Sequence, residues 1–357
     1  MSTFINILLA FFGGVLATCM GALGSVVLCA LVAMIGVCTV MAGCEFNVAL
    51  VMAFGFFLSP HLGLGPAACA LGFAKKKGYV EDSKGIALPL IMLGKPSVLV
   101  VGGLFGVLSY YIKLGLDVIL PGKIDAVSAA IVIIGIIAKI LFGNEGVIGK
   151  VPEGDRRFGV ASKNKWMPHM PSGEGITYWL FAGGASLLAG LLYWEICEFG
   201  KTFADTNPAL AENITIVAQF PVFALAVIFL ILLCTGLPCP VFHHVGLVAC
   251  YGAMIPYASG ANELVVLLWA MSCGILSHFV ADLLADLFLV YGDGYVDPPS
   301  LSMAACSLFT WILFPALGLY NGVAMIVTPI VLLVISAVIA CVLQAKRKAA
   351  LSAETAA

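Results

Sequence analysis

The residues best suited to chemistry lie on one predicted helix, 262–291. His278, Asp282 and Asp286 follow one another at intervals of four residues, so an α-helix carries all three on one face. An imidazole and two carboxylates in this arrangement can bind a proton, Na⁺ or a divalent cation. An ionised aspartate deep in a bilayer costs at least about 2.5 kcal/mol, so we predict a cation-coupling role for the three. Alternatively, this helix is about 45 Å long and Asp286 reaches the interface.

Two proline-rich breaks interrupt the apolar sequence. One covers residues 58–66 around Pro60, and the other covers 236–240 and ends at Pro240. Proline removes a backbone donor and clashes with the preceding turn, so a helix restarts after it. The 15 residues of 60–74 span roughly 22 Å of a ~30 Å core. We therefore predict two helix N-termini within the membrane, facing an anionic or carbonyl-bearing ligand; simple proline kinks are the alternative.

Polar residues near these breaks and at a third glycine–proline break are the predicted substrate-binding groups. They are Ser59, His61, Gly63, Lys95, His243 and His244. Adjacent histidines point in different directions and do not form a metal pair by themselves. A histidine that faces a cavity titrates near neutral pH, whereas the alternative is an interfacial or hydrogen-bonded core residue.

Two isolated charges, Glu45 and Lys95, fall within apolar sequence. A lone charge in hydrocarbon needs a partner or must become neutral. The two either pair with each other as a static link between helices, or Lys95 meets substrate and Glu45 joins the cation-coupling groups. The run 291–299, with Asp297 before Pro298, indicates a structural turn with an N-cap.

Patterns that bind common cofactors are missing from the sequence. The twelve cysteines occur without a CxxC pair, and there is no Walker A, dinucleotide-binding or GxSxG motif. We predict no cofactor, no metal site and no catalytic residue. A net charge of −2 without a basic stripe excludes a nucleic-acid partner.

The elements that position these residues are membrane helices. Of the 357 residues, 62% are apolar and 10% charged, whereas soluble domains carry about 25% charged residues. Since each crossing needs about 20 apolar residues, charge-free runs predict an all-α polytopic membrane protein with about eleven transmembrane helices. The predicted spans are 3–27, 31–57, 60–74, 86–112, 125–143, 176–199, 213–236, 240–256, 262–291, 298–317 and 321–344.

Basic residues predict the orientation. Twelve of them fall on one face and three on the other, which places the C-terminus in the cytoplasm and the N-terminus outside. The twelve are Lys75, Lys76, Lys77, Lys84, Lys150, Arg156, Arg157, Lys163, Lys165, Lys346, Arg347 and Lys348, and the three are Lys113, Lys123 and Lys201. The start of the chain lacks a basic region, so we expect no cleaved signal. A bacterial or archaeal cytoplasmic (inner) membrane is the expected location.

Sequence matches between the two halves predict an internal repeat. Asp125, Ser128 and 140–142 match Asp297, Ser300 and 312–314 at an offset of 172 residues, and Pro60 and Gly72 match Pro240 and Gly252 at an offset of 180. Asp125 is predicted at the outer end of its span and Asp297 at the inner end, so the repeat is a 5+5 inverted one with an extra helix. Convergence of apolar helices is the alternative.

The repeat defines the predicted domains and function. These domains are a first repeat (1–143), a cytoplasmic polar linker (144–175), a second repeat (176–317), an additional helix (318–345) and a cytoplasmic tail (346–357). Inverted repeats are typical of secondary transporters. We predict a symporter that moves a small polar solute, anionic or carbonyl-bearing, with H⁺ or Na⁺ by alternating access. The predicted partners are the solute, the cation and the lipid bilayer. The sequence leaves open whether the protein forms a homo-oligomer. The alternatives are a membrane-embedded enzyme with Asp/His acid–base groups, or a non-catalytic subunit of a larger membrane complex.

Overall fold

The computed structural model describes residues 3–158, 166 and 175–356. Helices make up the regular structure of these residues, and no strand occurs among them, so the all-α prediction is confirmed. Within these residues, seven helices are long and apolar enough to cross a bilayer, or eight if a bent pair forms one span. The predicted count of about eleven is not confirmed. Within the predicted linker 144–175, residues 159–165 and 167–174 lie outside the described residues.

The amino-terminal half contains five α-helices in the described sequence. They are α1 (Thr3–Met20), α2 (Ala22–Met41), α3 (Leu64–Lys76), α4 (Pro96–Ile119) and α5 (Ala126–Phe142). A π-helical turn at Ala49–Ala53 lies between α2 and α3, and a 3₁₀ turn at Leu90–Leu93 precedes α4. Helix α2 ends earlier than the predicted limit of 57 because Gly43 takes a positive φ of 94°. The amide of Cys44 then bonds to the carbonyl of Thr39, which closes the helix end.

The carboxyl-terminal half contains the remaining helices. They are α6 (Ile176–Lys201), α7 (Pro208–Val217), α8 (Phe220–Phe229), α9 (Ile231–Cys234), α10 (His243–Ala258), α11 (Glu263–Phe288), α12 (Pro298–Leu308), α13 (Phe314–Ala316) and α14 (Gly322–Ala356). A π-helical turn at Phe309–Leu313 joins α12 to α13.

The difference in span count comes from short or bent helices. Helices α3, α10 and α5 contain 13, 16 and 17 residues, and a helix rises only about 1.5 Å per residue. Helix α7 meets the stretch Phe220–Cys234 at an angle of 41°. Predicted spans 60–74, 125–143, 213–236 and 240–256 therefore correspond to short or bent helices.

Both halves pack their long helices through small residues. In the first half α1 contacts α4, and in the second half α6 contacts α11. A Cβ on Gly14 would lie 2.4 Å from the carbonyl oxygen of Gly102, and a Cβ on Gly274 would lie 2.0 Å from the Ser186 hydroxyl oxygen. Close helix approach through small residues is a common packing mode in membranes.

Helices α5 and α12 run antiparallel across the boundary between the halves. The amide of Asp125, at the start of α5, donates to the hydroxyl of Ser307, far along α12, at 2.9 Å. In return, a Cβ on Gly135 in α5 would lie 3.3 Å from the carbonyl oxygen of Tyr295, just before α12. The start of α5 therefore lies beside the end of α12, and the residues just before α12 lie beside the middle of α5.

Helix α14 lies against α6 and α11. The indole of Trp179 donates to Ser336 at 2.9 Å, and that of Trp269 donates to the carbonyl of Met325 at 2.8 Å. Much of the remaining surface of α14 is exposed and apolar, from Val323 to Val342. A lipid environment would cover such a surface.

Candidate functional site

The segment before α3 places two predicted substrate-binding residues in a buried pair. The hydroxyl of Ser59 and Nδ1 of His61 are 2.7 Å apart, and both side chains are buried. Gly63 comes next and gives no side-chain cap to α3. None of the three lines the main cavity, which instead meets their neighbours Pro60 and Leu64.

Glu45 and Lys95 do not come together, and both are exposed. A carboxylate oxygen of Glu45 accepts a hydrogen bond from the Asn207 side chain at 2.8 Å. The ammonium of Lys95 lies 5.1 Å from the centre of the Tyr79 ring. The predicted pairing of two buried charges does not form, because Glu45 follows the end of α2 and Lys95 precedes the start of α4.

The predicted cation-coupling residues of α11 extend along one side of the helix. His278 and Asp286 are buried and Asp282 is half-buried. The ring of Tyr178 stacks on His278 with centres 3.9 Å apart. In the parts of the chain that the structure describes, no group of three His, Cys, Asp or Glu side chains is arranged to hold a metal ion.

His243 and His244 open α10, where Phe242 provides no side-chain cap. Their rings are 5.9 Å apart at right angles. His244 is fully buried, whereas His243 borders a cavity. Sequence spacing indicated this divergence, since successive helical side chains point in different directions.

The main cavity has a volume of about 460 Å³ and is walled by both halves of the chain. Its polar lining is Lys113, Asp117, Asp125, Ser128, Gln219, His243, Tyr251, Asp297 and Ser300. At one end, Lys113 and Asp117 form a partly exposed ion pair at 2.7 Å. At the other, His243 and Asp297 separate the cavity from a second one of about 130 Å³, which both residues also line.

Asp125 and Asp297 occupy equivalent local structures in this cavity. Each is the N-cap of its helix and accepts a bond from the backbone amide three residues on, at 3.0 Å for Asp125 and 2.9 Å for Asp297. The hydroxyls of Ser128 and Ser300 also donate to these carboxylates. Aspartate at an N-cap satisfies an otherwise unpaired amide, so the two carboxylates are held in fixed orientations.

A tyrosine hydroxyl also donates a hydrogen bond to each carboxylate, but the two tyrosines come from different parts of the fold. Tyr251 of α10 donates to Asp125 across the boundary between the halves at 2.9 Å. Tyr295, two residues before Asp297, donates to it at 3.0 Å. Sequence reasoning assigned Asp297 to a structural turn and used Asp125 only to detect the repeat. The shared Asp-x-x-Ser pattern was the available signal, while nothing in the spacing pointed to Tyr251 or Gln219.

Basic side chains collect at the end of α11 away from the Lys113–Asp117 pair. Lys139 donates to the carbonyl of Phe288 at 2.6 Å, Arg157 to that of Asp286 at 3.2 Å, and Lys84 to that of Val290 at 3.2 Å. Cations at a helix C-terminus stabilise its unpaired carbonyls. Burial lowers the pKa of Lys84 from its usual 10.5, although nearby Asp82 acts in the opposite direction.

The part of the chain that the structure describes is all-helical and includes seven long apolar helices. This composition and these helix lengths are those of a polytopic membrane protein. The chain belongs to the Family of unknown function (DUF7973), which matches residues 1–161 and 210–329. A search of curated proteins and a search of solved structures gave no match.

Proposed function

We propose that this protein is a secondary active transporter that moves a small polar solute across a cytoplasmic membrane, coupled to H⁺ or Na⁺. The observation that carries the proposal is the cavity of about 460 Å³ between the two halves, into which both Asp125 and Asp297 project. Binding near the midplane, between two related halves and beside interrupted helices, is the arrangement that alternating access requires.

Reciprocal contacts support an inverted 5+5 repeat. Asp125 and Asp297 are 172 residues apart, and so are Gly135 and Ser307. Asp125 contacts Ser307, and Gly135 contacts the residues just before Asp297. When a residue of one repeat contacts a second position in the other repeat, and the equivalent pair makes the reverse contact, the two repeats are related by a two-fold axis. Because α5 and α12 are antiparallel, that axis is perpendicular to them, as in an inverted repeat.

Two further equivalences support the repeat. Gly122 and Gly294 each lie three residues before the capping aspartate, and both take a positive φ, 63° and 85°. Helix pairs also match, since α3 packs on α4 and α5 in the first half as α10 packs on α11 and α12 in the second. These matching contacts support the proposed repeat, to which α14 is added at the end of the second half.

The cavity lining supports the nature of the cargo. Two carboxylates line the cavity with one lysine, Lys113, already paired with Asp117, and this balance favours a cation. The N-terminus of α10 has no side-chain cap, so its amides suit a carbonyl or carboxylate oxygen. We propose that the solute places an oxygen there while the coupling cation meets the aspartates.

The basic side chains gathered at one end of the molecule support the direction in which the main cavity opens. If Lys75, Lys84, Lys139 and Arg157 face the cytoplasm, the mouth at Lys113 and Asp117 faces outside. The contacts of three of these cations with α11 and the ion pair of Lys75 with Asp293 then close the cytoplasmic end. The described conformation corresponds to an outward-facing state of the proposed cycle.

Electrical recording from proteoliposomes on a solid-supported membrane tests the proposal. A panel of small carboxylates, amino acids and polyols is applied with either a pH or a Na⁺ gradient. We expect a saturable transient current for at least one solute, which Asp125→Asn and Asp297→Asn both reduce. Asp205→Asn, which changes an exposed carboxylate, is the matched control and keeps the current. A wild-type response equal to that of protein-free liposomes across the panel contradicts the proposal.

A further inference from the structure

Three histidines of the second half are buried without satisfying all their ring nitrogens. His243, His244 and His278 are 7%, 0% and 4% exposed. Nδ1 of His243, both nitrogens of His244 and Nδ1 of His278 have no hydrogen-bond partner among the described residues. Buried polar groups are nearly always paired in native proteins, so three such imidazoles in one region need an explanation.

The three imidazoles, here called the imidazole chain, start at the main cavity with His243, followed by His244 on α10 and His278 on the neighbouring helix α11. His243 lines the cavity together with Asp297, and its ring centre is 5.9 Å from that of His244. His244 in turn lies close enough to His278 for their charges to interact. The start of α10 packs on α11 at Gly274, where a Cβ would lie 2.9 Å from the carbonyl oxygen of Val245.

The chain continues along α11 toward the basic end of the molecule. Tyr178 of α6 stacks on His278 and lies within electrostatic reach of Asp282, one helical turn beyond His278. Asp282 is half-buried. Asp286 follows one turn later, at the position where Arg157 contacts the backbone. Two titratable groups of other helices face the imidazoles: Asp297 at the start of α12 lines the cavity with His243, and Tyr178 on α6 stacks on His278. Asp282 follows His278 by one helical turn on α11.

We propose that His243, His244, His278 and Asp282 relay protons between Asp297 in the main cavity and the basic end of the molecule. This inference rests on the proposed transport function and identifies its coupling ion as H⁺. Sodium is bound by several oxygen ligands, and imidazole nitrogens do not provide them. A neutral imidazole accepts a proton on its free nitrogen and releases the proton that the other nitrogen carries.

The transfer balances at every step. Asp297 gives its proton to the free nitrogen of His243, and His243 passes the proton on its second nitrogen to His244. His244 repeats the exchange with His278, and His278 protonates the carboxylate of Asp282. Every histidine ends neutral, and one proton has moved from Asp297 to Asp282. Transfers need hydrogen-bond distance or one bridging water. Between His243 and His244, whose ring centres are 5.9 Å apart, the proposed exchange takes place after a ring rotation or through one water.

Nitrogen NMR of ring-labelled histidine tests the relay without any solute. The chain has five histidines, and single His→Gln variants assign their resonances in nanodiscs. We expect His243, His244 and His278 to show exchange between tautomers and fast replacement of ring protons by deuterium. His61, held by Ser59, is the internal reference with one fixed tautomer. Three fixed tautomers with deuterium replacement as slow as at His61 overturn the relay.

Proton entry into pyranine-loaded proteoliposomes separates the relay from transport itself. Valinomycin and K⁺ set the potential, and the same panel of carboxylates, amino acids and polyols is the probe. We expect solute-dependent acidification by wild type and at least a tenfold lower rate for His244→Gln and His278→Gln. Wild-type rates in both variants, or Na⁺-driven solute currents without acidification, overturn the relay and leave transport standing. Mobile imidazoles in NMR with no solute response from wild type overturn the transport proposal instead.

Discussion

The histidines that follow the two proline breaks differ in their hydrogen bonding. After Pro60, His61 is buried and bonded to Ser59 at 2.7 Å. After Pro240, His243 is equally buried, but its Nδ1 is unpaired among the described residues and the ring borders the main cavity. A satisfied imidazole stabilises structure, whereas an unsatisfied one is kept at a cost. The imidazole of the first break is therefore fixed by a neighbour, whereas that of the second borders the cavity with one ring nitrogen unpaired, which favours the second break for the proposed relay.

The aspartates show the same division. Asp125 and Asp297 share a cap, a serine and a tyrosine donor, but Asp125 receives Tyr251 from the other half, and Asp297 receives Tyr295 from its own turn. Only Asp297 borders both cavities. The carboxylate bonded across the boundary is suited to sensing the position of the halves, and the other carboxylate to passing on a cation.

The largest expected effect separates these two aspartates. Asp297→Asn keeps the helix cap, because asparagine caps as well as aspartate, but removes the carboxylate beside His243. We expect it to lower solute-driven current about 100-fold and Asp125→Asn to lower it about tenfold. Recording from proteoliposomes measures both rates. Equal losses in the two variants would remove the functional difference between the carboxylates.

The next effect tests whether both halves depend on close helix contacts. A Cβ on Gly102 would lie 1.9 Å from the Thr18 hydroxyl oxygen, and one on Gly274 would lie 2.0 Å from that of Ser186. Overpacking of this kind costs about 1–3 kcal/mol, so Gly102→Ala and Gly274→Ala should both lower the thermal midpoint in detergent. Gly184→Ala meets nothing within 4 Å and is the control. If only one of the two variants, Gly102→Ala or Gly274→Ala, has a lower thermal midpoint, the two halves do not pack in an equivalent way.

A pair of substitutions tests the contrast between the histidines. Ser59→Ala removes the partner of His61 and should destabilise the protein by about 1–3 kcal/mol. His244→Leu removes a fully buried imidazole with two unpaired nitrogens, so we expect stability to stay equal or rise by about 1 kcal/mol. Unfolding midpoints in denaturant provide the measurement. A large destabilisation by His244→Leu would mean that this ring is a structural element like His61.

The smallest expected effect concerns the basic end. Burial lowers the pKa of Lys84 in the folded protein below its usual 10.5, so the unfolded chain binds more protons between the two values. Stability should therefore rise with pH in that window. Thermal midpoints of wild type and Lys84→Met, recorded between pH 8 and 11, measure this pH dependence. An identical slope in the variant would exclude Lys84 as the source.

The sequence predicts a helix boundary well where residues next to that boundary determine it. The span 125–143 agrees with α5 within one residue at each end, because Asp125 is a recognisable cap. The breaks at Pro60 and Pro240 are also visible, but α3 and α10 begin at Leu64 and His243. Turns occupy residues 60–63, and irregular backbone occupies residues 240–242. The predicted spans 31–57 and 86–112 differ most. Gly43 ends α2, and α4 starts only at Pro96.

The candidate site was less predictable, because tertiary contacts define it. Asp297 has the local pattern of a capped turn, and only the fold brings it into one cavity with Asp125. Glu45 and Lys95 are isolated charges in sequence, yet loops expose them. His278, by contrast, was found from helical spacing, and its stacking on Tyr178 required the structure.

Two-sided labelling of introduced cysteines tests the central claim, that two inverted halves enclose the cavity, most directly. Exposed Cys38, Cys44, Cys234 and Cys341 are first replaced by serine. Lys123→Cys then marks the start of α5, and Lys150→Cys marks the start of α12, because neighbouring Gly149 contacts Gly292. We expect an impermeant maleimide to label Cys at position 123 in intact cells and Cys at position 150 only after permeabilisation. Labelling of both positions from the same side would contradict it.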